Sequence, residues 1–137
     1  MSAYLENVAR SEEPDESVWL SWRKLVNMSA SELRRFMDSS EGRAAGLSRI
    51  EARSQGIKSG RESAGWILKM QPLGTSYSSA TRNWSPAMWR WARRQVAFIK
   101  RMRGNKGALW DADGNPTRKH LALLIWGHDP QKPLRQV

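Results

Sequence analysis

Three observations predict an all-α fold. Apolar residues recur at three- and four-residue spacing from Asp15 onward. Ser-x-x-Glu capping boxes stand at Ser29–Glu32, Ser48–Glu51 and Ser59–Glu62, each ahead of an apolar repeat. No segment shows the alternation of a half-buried strand, and no internal repeat is present. The expected architecture is a compact array of short helices packed on one longer, basic amphipathic helix.

In chain order, residues 1–14 read as a flexible acidic tail ending at Pro14, and residues 15–128 as one basic helical domain. Its first helix runs from Asp15 to about Asn27 with Val18, Trp19, Trp22, Leu25 and Val26 on one face. The box at Ser29 opens a short helix carrying Leu33, Phe36 and Met37. Ser39 to Gly46 is a loop with room for one helical turn. The box at Ser48 opens a helix ending at Gly56, and the box at Ser59 opens another that runs to about Met70, stopped by Pro72 and Gly74. Residues 71–84, rich in Ser, Thr and Gly, are expected to be an exposed loop or linker.

The long helix is S-P-A-M-W-R-W-A-R-R-Q-V-A-F-I-K-R-M-R-G, Ser85 to Gly104. Ser85 suits the N-cap, Pro86 the first helical position and Gly104 the C-terminal end. At about 100° per residue, Met88, Trp91, Ala92, Gln95, Phe98, Ile99 and Met102 share one arc. Arg90, Arg93, Arg94, Lys100 and Arg101 share the other, with Trp89 at the border. Beyond it, Asn105 to Pro116 is turn-rich, with Leu109 and Trp110 as a docking point. Thr117 caps a last helix, Arg118 to Trp126, ended by Gly127, and residues 129–137 form an extended C-terminal tail.

Charge decides the function classes. The formal net charge is +10, yet the first 17 residues hold five acids and one base, which leaves 22 bases against 8 acids in the rest. No acid occurs between Glu62 and Asp111. Such an imbalance predicts a polyanionic partner. Arginine outnumbers lysine on the long helix, as phosphate recognition favours through the guanidinium fork. The bland alternative is a solvated helix face. Glu6, Glu12, Glu13, Asp15 and Glu16 oppose the charge of the rest, so the tail is expected to screen the basic face when no ligand is bound.

The absence of cysteine excludes disulfides and thiol catalysis. No apolar run is long enough for a membrane span, and the acidic start is unlike a signal peptide, so no membrane is expected and the location is a host cytoplasm or a virion. Asp111-Ala-Asp-Gly-Asn115 begins like a calcium loop but lacks the twelfth-position glutamate, and it is a strong turn sequence in its own right. His120 and His128, with Asp129, are candidate ligands or acid/base groups, but two histidines flanking an apolar helix read more simply as a satisfied structural pair. Without an assembled catalytic or metal motif, the chain reads as a non-enzyme with no cofactor.

Residues 32–70 resemble two small DNA-binding modules. Ala52, Gly56 and Ile57 match a helix-turn-helix, although Glu62 stands where an apolar residue locks the second helix. Glu32-Leu33, then Gly56-Ile-Lys-Ser-Gly-Arg61 and Trp66-Ile67, match the two halves of a SAP-type module with a longer spacer. A purely structural helical hairpin is the third option. The DNA-binding resemblances imply phosphate contacts for Arg49, Arg53, Lys58 and Arg61. From Trp84 the chain carries W-A-R-R-Q-V-A-F-I-K-R-M, then G-A-L-W-D-A-D-G-N-P-T-R-K and L-A-L-L-I-W-G-H-D-P, with S-G-R-E-S-A-G-W-I-L-K-M upstream. In these motifs it is similar to a small uncharacterised domain of phage and bacterial proteins. That resemblance implies a phage-like origin and brings no catalytic residues.

The function expected is non-catalytic, largely sequence-tolerant nucleic-acid binding, with DNA as the expected partner. Arg49, Arg53, Lys58, Arg61, Arg90, Arg93, Arg94, Lys100 and Arg101 would meet phosphates and Trp89 would stack on a base. The alternative is a phage virion or assembly component whose basic face packs against the genome, an acidic neighbouring subunit or a host protein.

Overall fold

A computed structural model describes residues 10–45, 60–71 and 75–136. The described residues are mostly helical, as the apolar spacing predicts, and their β-structure is an isolated bridge between Trp110 and Pro116. The helix predicted over residues 48–56 lies outside the described residues.

The helices are α1 Glu16–Leu25, α2 Ala30–Asp38, α3 Ser40–Ala44, α4 Gly60–Met70, α5 Tyr77–Thr81, α6 Pro86–Gly104 and α7 Arg118–Ile125. Local chemistry fixes several boundaries. The Asp15 carboxylate accepts from the Ser17 N–H at 2.9 Å and opens α1. Ser29 and Glu32 form a reciprocal box: the Glu32 N–H donates to Ser29 Oγ and the Ser29 N–H to Glu32 Oε1. Ser39 ends α2 and opens α3, and Gly42 is buried so closely on the Phe36 carbonyl that a Cβ would stand 1.7 Å from its oxygen. The loop expected at residues 39–46 is therefore α3 over most of its length.

The linker expected at residues 71–84 is also partly helical. Ser76 caps α5, whose Ala80 is buried and whose Tyr77 packs on Trp19 and Trp89 with ring centroids 6.0 and 6.3 Å away. Burial of one face offsets the poor helix propensity of a Ser/Thr-rich segment.

α6 lies against α1, α4 and α7, and α7 also meets α2 and α3. Trp19, Trp22, Trp84, Trp89, Trp91 and Trp126 are buried among these helices, with Trp84 set edge-on between Trp22 and Trp89 at 5.2 and 4.8 Å. Gln95 is buried with them and fully engaged: its Oε1 accepts from Trp22 Nε1 at 2.7 Å, and its Nε2 donates to Ser63 Oγ at 3.1 Å. α7 closes in a Schellman turn, with the Gly127 N–H on the Leu124 carbonyl and the His128 N–H on the Leu123 carbonyl. Gly127 has φ +85°, and a Cβ there would stand 2.8 Å from Ile67 Cδ1.

The C-terminal tail is extended only after a turn at 130–132, and it is pinned to the α1–α2 junction. Buried Asn27 exchanges hydrogen bonds with Asp129, its Oδ1 accepting from the Asp129 N–H at 2.7 Å and its Nδ2 donating to the Asp129 carbonyl at 3.0 Å. Lys132 Nζ donates to the Asn27 carbonyl and to Glu32, both at 2.9 Å, and Arg135 donates to the Met28 carbonyl at 3.1 Å.

Candidate nucleic-acid interface

Ser85 Oγ accepts from the Met88 N–H at 3.3 Å, Pro86 occupies the first turn, and Arg101 and Arg103 lie in the last turn of α6, where cations complement the helix dipole. Trp91, Ala92, Gln95 and Ile99 are buried and Met88, Phe98 and Met102 half-buried, so the apolar arc faces the core. Arg94, Lys100, Arg101 and Arg103 are exposed on the outer side.

The N-terminal segment divides this outer side. Residues 10–12 form a helical turn held on α6 rather than a free tail. Glu12 pairs with Arg90 at 3.3 Å, and the Arg93 guanidinium donates to the Ser11 carbonyl at 2.7 Å and the Glu13 carbonyl at 2.8 Å. Arg90 and Arg93 are thus engaged within the chain, while the flank with Arg94 and Arg101 stays open. Among the described residues the ion pairs are Glu12–Arg90 and Glu32–Lys132, so no described carboxylate pairs with Arg94, Lys100 or Arg101.

On the open flank each arginine lies over an aromatic ring of the preceding turn: Arg94 over Trp91 at 5.3 Å and Arg101 over Phe98 at 5.7 Å. α4 extends the surface, with Lys69 over Trp66 at 4.8 Å and Trp66 stacked on Trp91 at 6.0 Å. Neither Lys69 nor Trp66 is among the residues that the sequence assigns to phosphate or base contacts. The signal was present: a cation follows an aromatic by three residues at Trp66/Lys69, Trp91/Arg94 and Phe98/Arg101, the spacing that puts two side chains on one helix face.

One predicted site residue is corrected and a second is engaged within the chain. Trp89 is 2 % exposed and packs edge-on against Trp84 and Tyr77, so it offers no face to a base. Arg61 Nη1 donates to the Met37 and Gly42 carbonyls at 3.1 and 3.2 Å, where it braces the ends of α2 and α3. Arg49, Arg53 and Lys58 lie outside the described residues, and with them the middle of the region resembling a helix-turn-helix or SAP-type module.

The histidines and aspartates have local partners. His120 Nδ1 lies 3.0 Å from the Leu109 carbonyl and its ring meets Trp110 edge-on at 4.9 Å. Trp110 itself is half-exposed at the base of the 111–115 turn, where it bridges Pro116, rather than a buried docking point. His128 is buried, with Nδ1 2.6 Å from the Leu25 carbonyl, so that nitrogen carries the proton. Burial pushes the His128 pKa down and outweighs the upward pull of the Leu25 carbonyl; Arg103 adds a lesser push down and Asp129 the least pull up. Asp111 Oδ1 accepts the N–H groups of Asp113 and Asn115, both at 2.9 Å, which closes the turn. Among the described residues no three His, Asp or Glu side chains gather to hold a metal.

The class of protein defined is an all-α bundle that presents a half-masked arginine face on its longest helix. No family model, curated protein or solved structure matches the chain. Among the described residues no helix is long and apolar enough to cross a membrane.

Proposed function

We propose that the chain is a non-catalytic protein that binds nucleic acid through phosphate contacts, largely without regard to sequence, and that DNA is its partner. One observation carries the reading. Arg94, Lys100 and Arg101 stand exposed on one helix face, inside a stretch without acids, and no described carboxylate neutralises them. Exposed cationic groups without a described carboxylate partner, guanidinium forks above all, are suited to phosphate oxygens. The phage-like origin implied by the motifs after Trp84, with a place in a host cytoplasm or a virion, belongs to the same proposal.

Salt dependence tests it. If about four phosphates are neutralised, log K falls with log salt at a slope near −3.6 on duplex DNA. Replacing Arg94 and Arg101 together by Gln keeps helix propensity and should flatten the slope by up to about two units, with similar losses on unrelated sequences. An unchanged slope and affinity in the double variant would remove this face from the interface.

A second reading has its own support. The acidic segment already seated on Arg90 and Arg93 is a peptide, so the face also suits an acidic neighbouring subunit in a virion or assembly complex. On that reading the protein copurifies with particles after nuclease treatment, and the double Gln variant leaves them.

A further inference from the structure

The open flank of α6 holds more than charge. Trp66, Trp91, Trp126 and Phe98 form a continuous row, with successive centroids 6.0, 6.4 and 4.2 Å apart. The two inner members are buried, Trp91 at 4 % and Trp126 at 7 % exposure, while the outer members Trp66 and Phe98 are only half-buried. Trp66 backs onto Trp91 with 22° between the ring planes, and Phe98 onto Trp126 with 17°. Each outer ring therefore rests on a buried indole that fixes its orientation. A cation lies over each, Lys69 over Trp66 and Arg101 over Phe98, and Arg94 stands between them over Trp91.

We infer that this row is a binding site for single-stranded nucleic acid, an inference that rests on the phosphate-binding reading and narrows its ligand. A duplex buries the faces of its bases, so it can use the cations but not the rings. An unpaired base has two open faces, and stacking on an aromatic side chain tolerates any sequence because every base has a π-face. Lys69 and Arg101 are on flexible stems, so a base takes their place over Trp66 and Phe98 while the displaced cation meets the adjoining phosphate. The cation–π contacts given up are weak at exposed sites, and a phosphate contact replaces each. Arg94 and Arg101, seven residues apart on one helix, are separated by about 10.5 Å along its axis, the rise of about three stacked nucleotides at roughly 3.4 Å each. The spacing fits one short single strand laid along the helix. Stacking passes from the buried Trp89, which the helical wheel favours, to the opposite flank.

The test compares a thymidine 12-mer with an abasic 12-mer of equal phosphate count, by anisotropy on the full chain. The wild-type protein should bind the thymidine strand more tightly by about 5- to 150-fold for each of the two rings, the range given by one base–aromatic stack. In Trp66→Leu and Phe98→Leu that ratio should fall toward one, while Trp66→Phe and Phe98→Tyr, which keep a ring, restore it. Thermal melts check that the Leu variants are folded, and the wild-type comparison needs no variant. Equal binding of the two strands by the wild-type protein, with a salt slope that Arg94→Gln/Arg101→Gln flattens, overturns the stacking site and leaves phosphate binding standing. Failure to bind either strand or duplex overturns both.

Discussion

Trp89 and His128 illustrate what single residues contribute. On a helical wheel Trp89 lies beside Arg93 and Lys100, on the solvent side of a helix with one buried face. The wheel fails because α5 and Trp84 cover that flank and give α6 a second buried side, a packing decision made outside the helix. His128 was legible as a structural histidine, and the bond from its Nδ1 to the Leu25 carbonyl gives it a testable consequence. Its pKa is lowered in the folded state, so the unfolded chain binds the extra proton first. The stability it contributes is complete above its unfolded pKa of about 6.5 and is lost as pH falls from there toward the lower folded value. The melting temperature should therefore drop over that window. His128→Gln, whose amide can still donate to the Leu25 carbonyl, should lose this component of the drop. An identical pH profile in the variant would assign the dependence to other groups.

At the scale of elements, the acidic segment and α6 form the informative pair. Charge opposition suggested screening, and the geometry is more specific: Glu12 takes Arg90, while two backbone carbonyls take both arms of Arg93. Carbonyl acceptors have no sequence signature, which is why charge counting could not locate this contact. Deleting residues 1–14 should release both arginines, tighten DNA binding at about 50 mM salt, and steepen the salt slope by up to about two units. Equal affinity and slope in the truncated chain would show that the segment does not compete with phosphate. α5 was missed for a different reason. The Ser76 box has serine in place of glutamate three residues on, and the helix depends on Tyr77 and Ala80 finding the α1–α6 surface.

For the whole molecule, the C-terminal segment closes the bundle. Asn27 joins the α1–α2 junction to Asp129, and the ion pair between Lys132 and Glu32 draws residues about a hundred positions apart together. The Lys132 hydrogen bond and the Ser29 N–H hold the Glu32 carboxyl down to about 2, so its contribution is complete above the ordinary value of 4.5 and is lost progressively as pH falls from there to about 2. Asn27→Ala leaves the half-buried Asp129 N–H and carbonyl without their Asn27 partner. It should cost about 1–3 kcal/mol, read from urea denaturation, with proteolysis after residue 129 becoming faster. Unchanged stability would mean that the segment is held by Lys132 and Arg135 alone.

The sequence by itself determined the all-α class, the caps at Ser29, Ser85 and Thr117, the stop at Gly127 and the inward arc of α6, because capping, backbone conformation and apolar periodicity act within a few residues. It also carried the aromatic–cation spacing at Trp66/Lys69, Trp91/Arg94 and Phe98/Arg101, which a search for charge alone passes over. Only the tertiary structure decided which arginines of α6 remain open, that Arg61 braces two helix ends, and that Trp66, Trp91, Trp126 and Phe98 form one row. Those outcomes depend on partners 19 to 82 residues away, Gly42 for Arg61 and Ser11 for Arg93. Contacts at such separations are set by how whole helices pack, and periodicity along one helix carries no information about its neighbours.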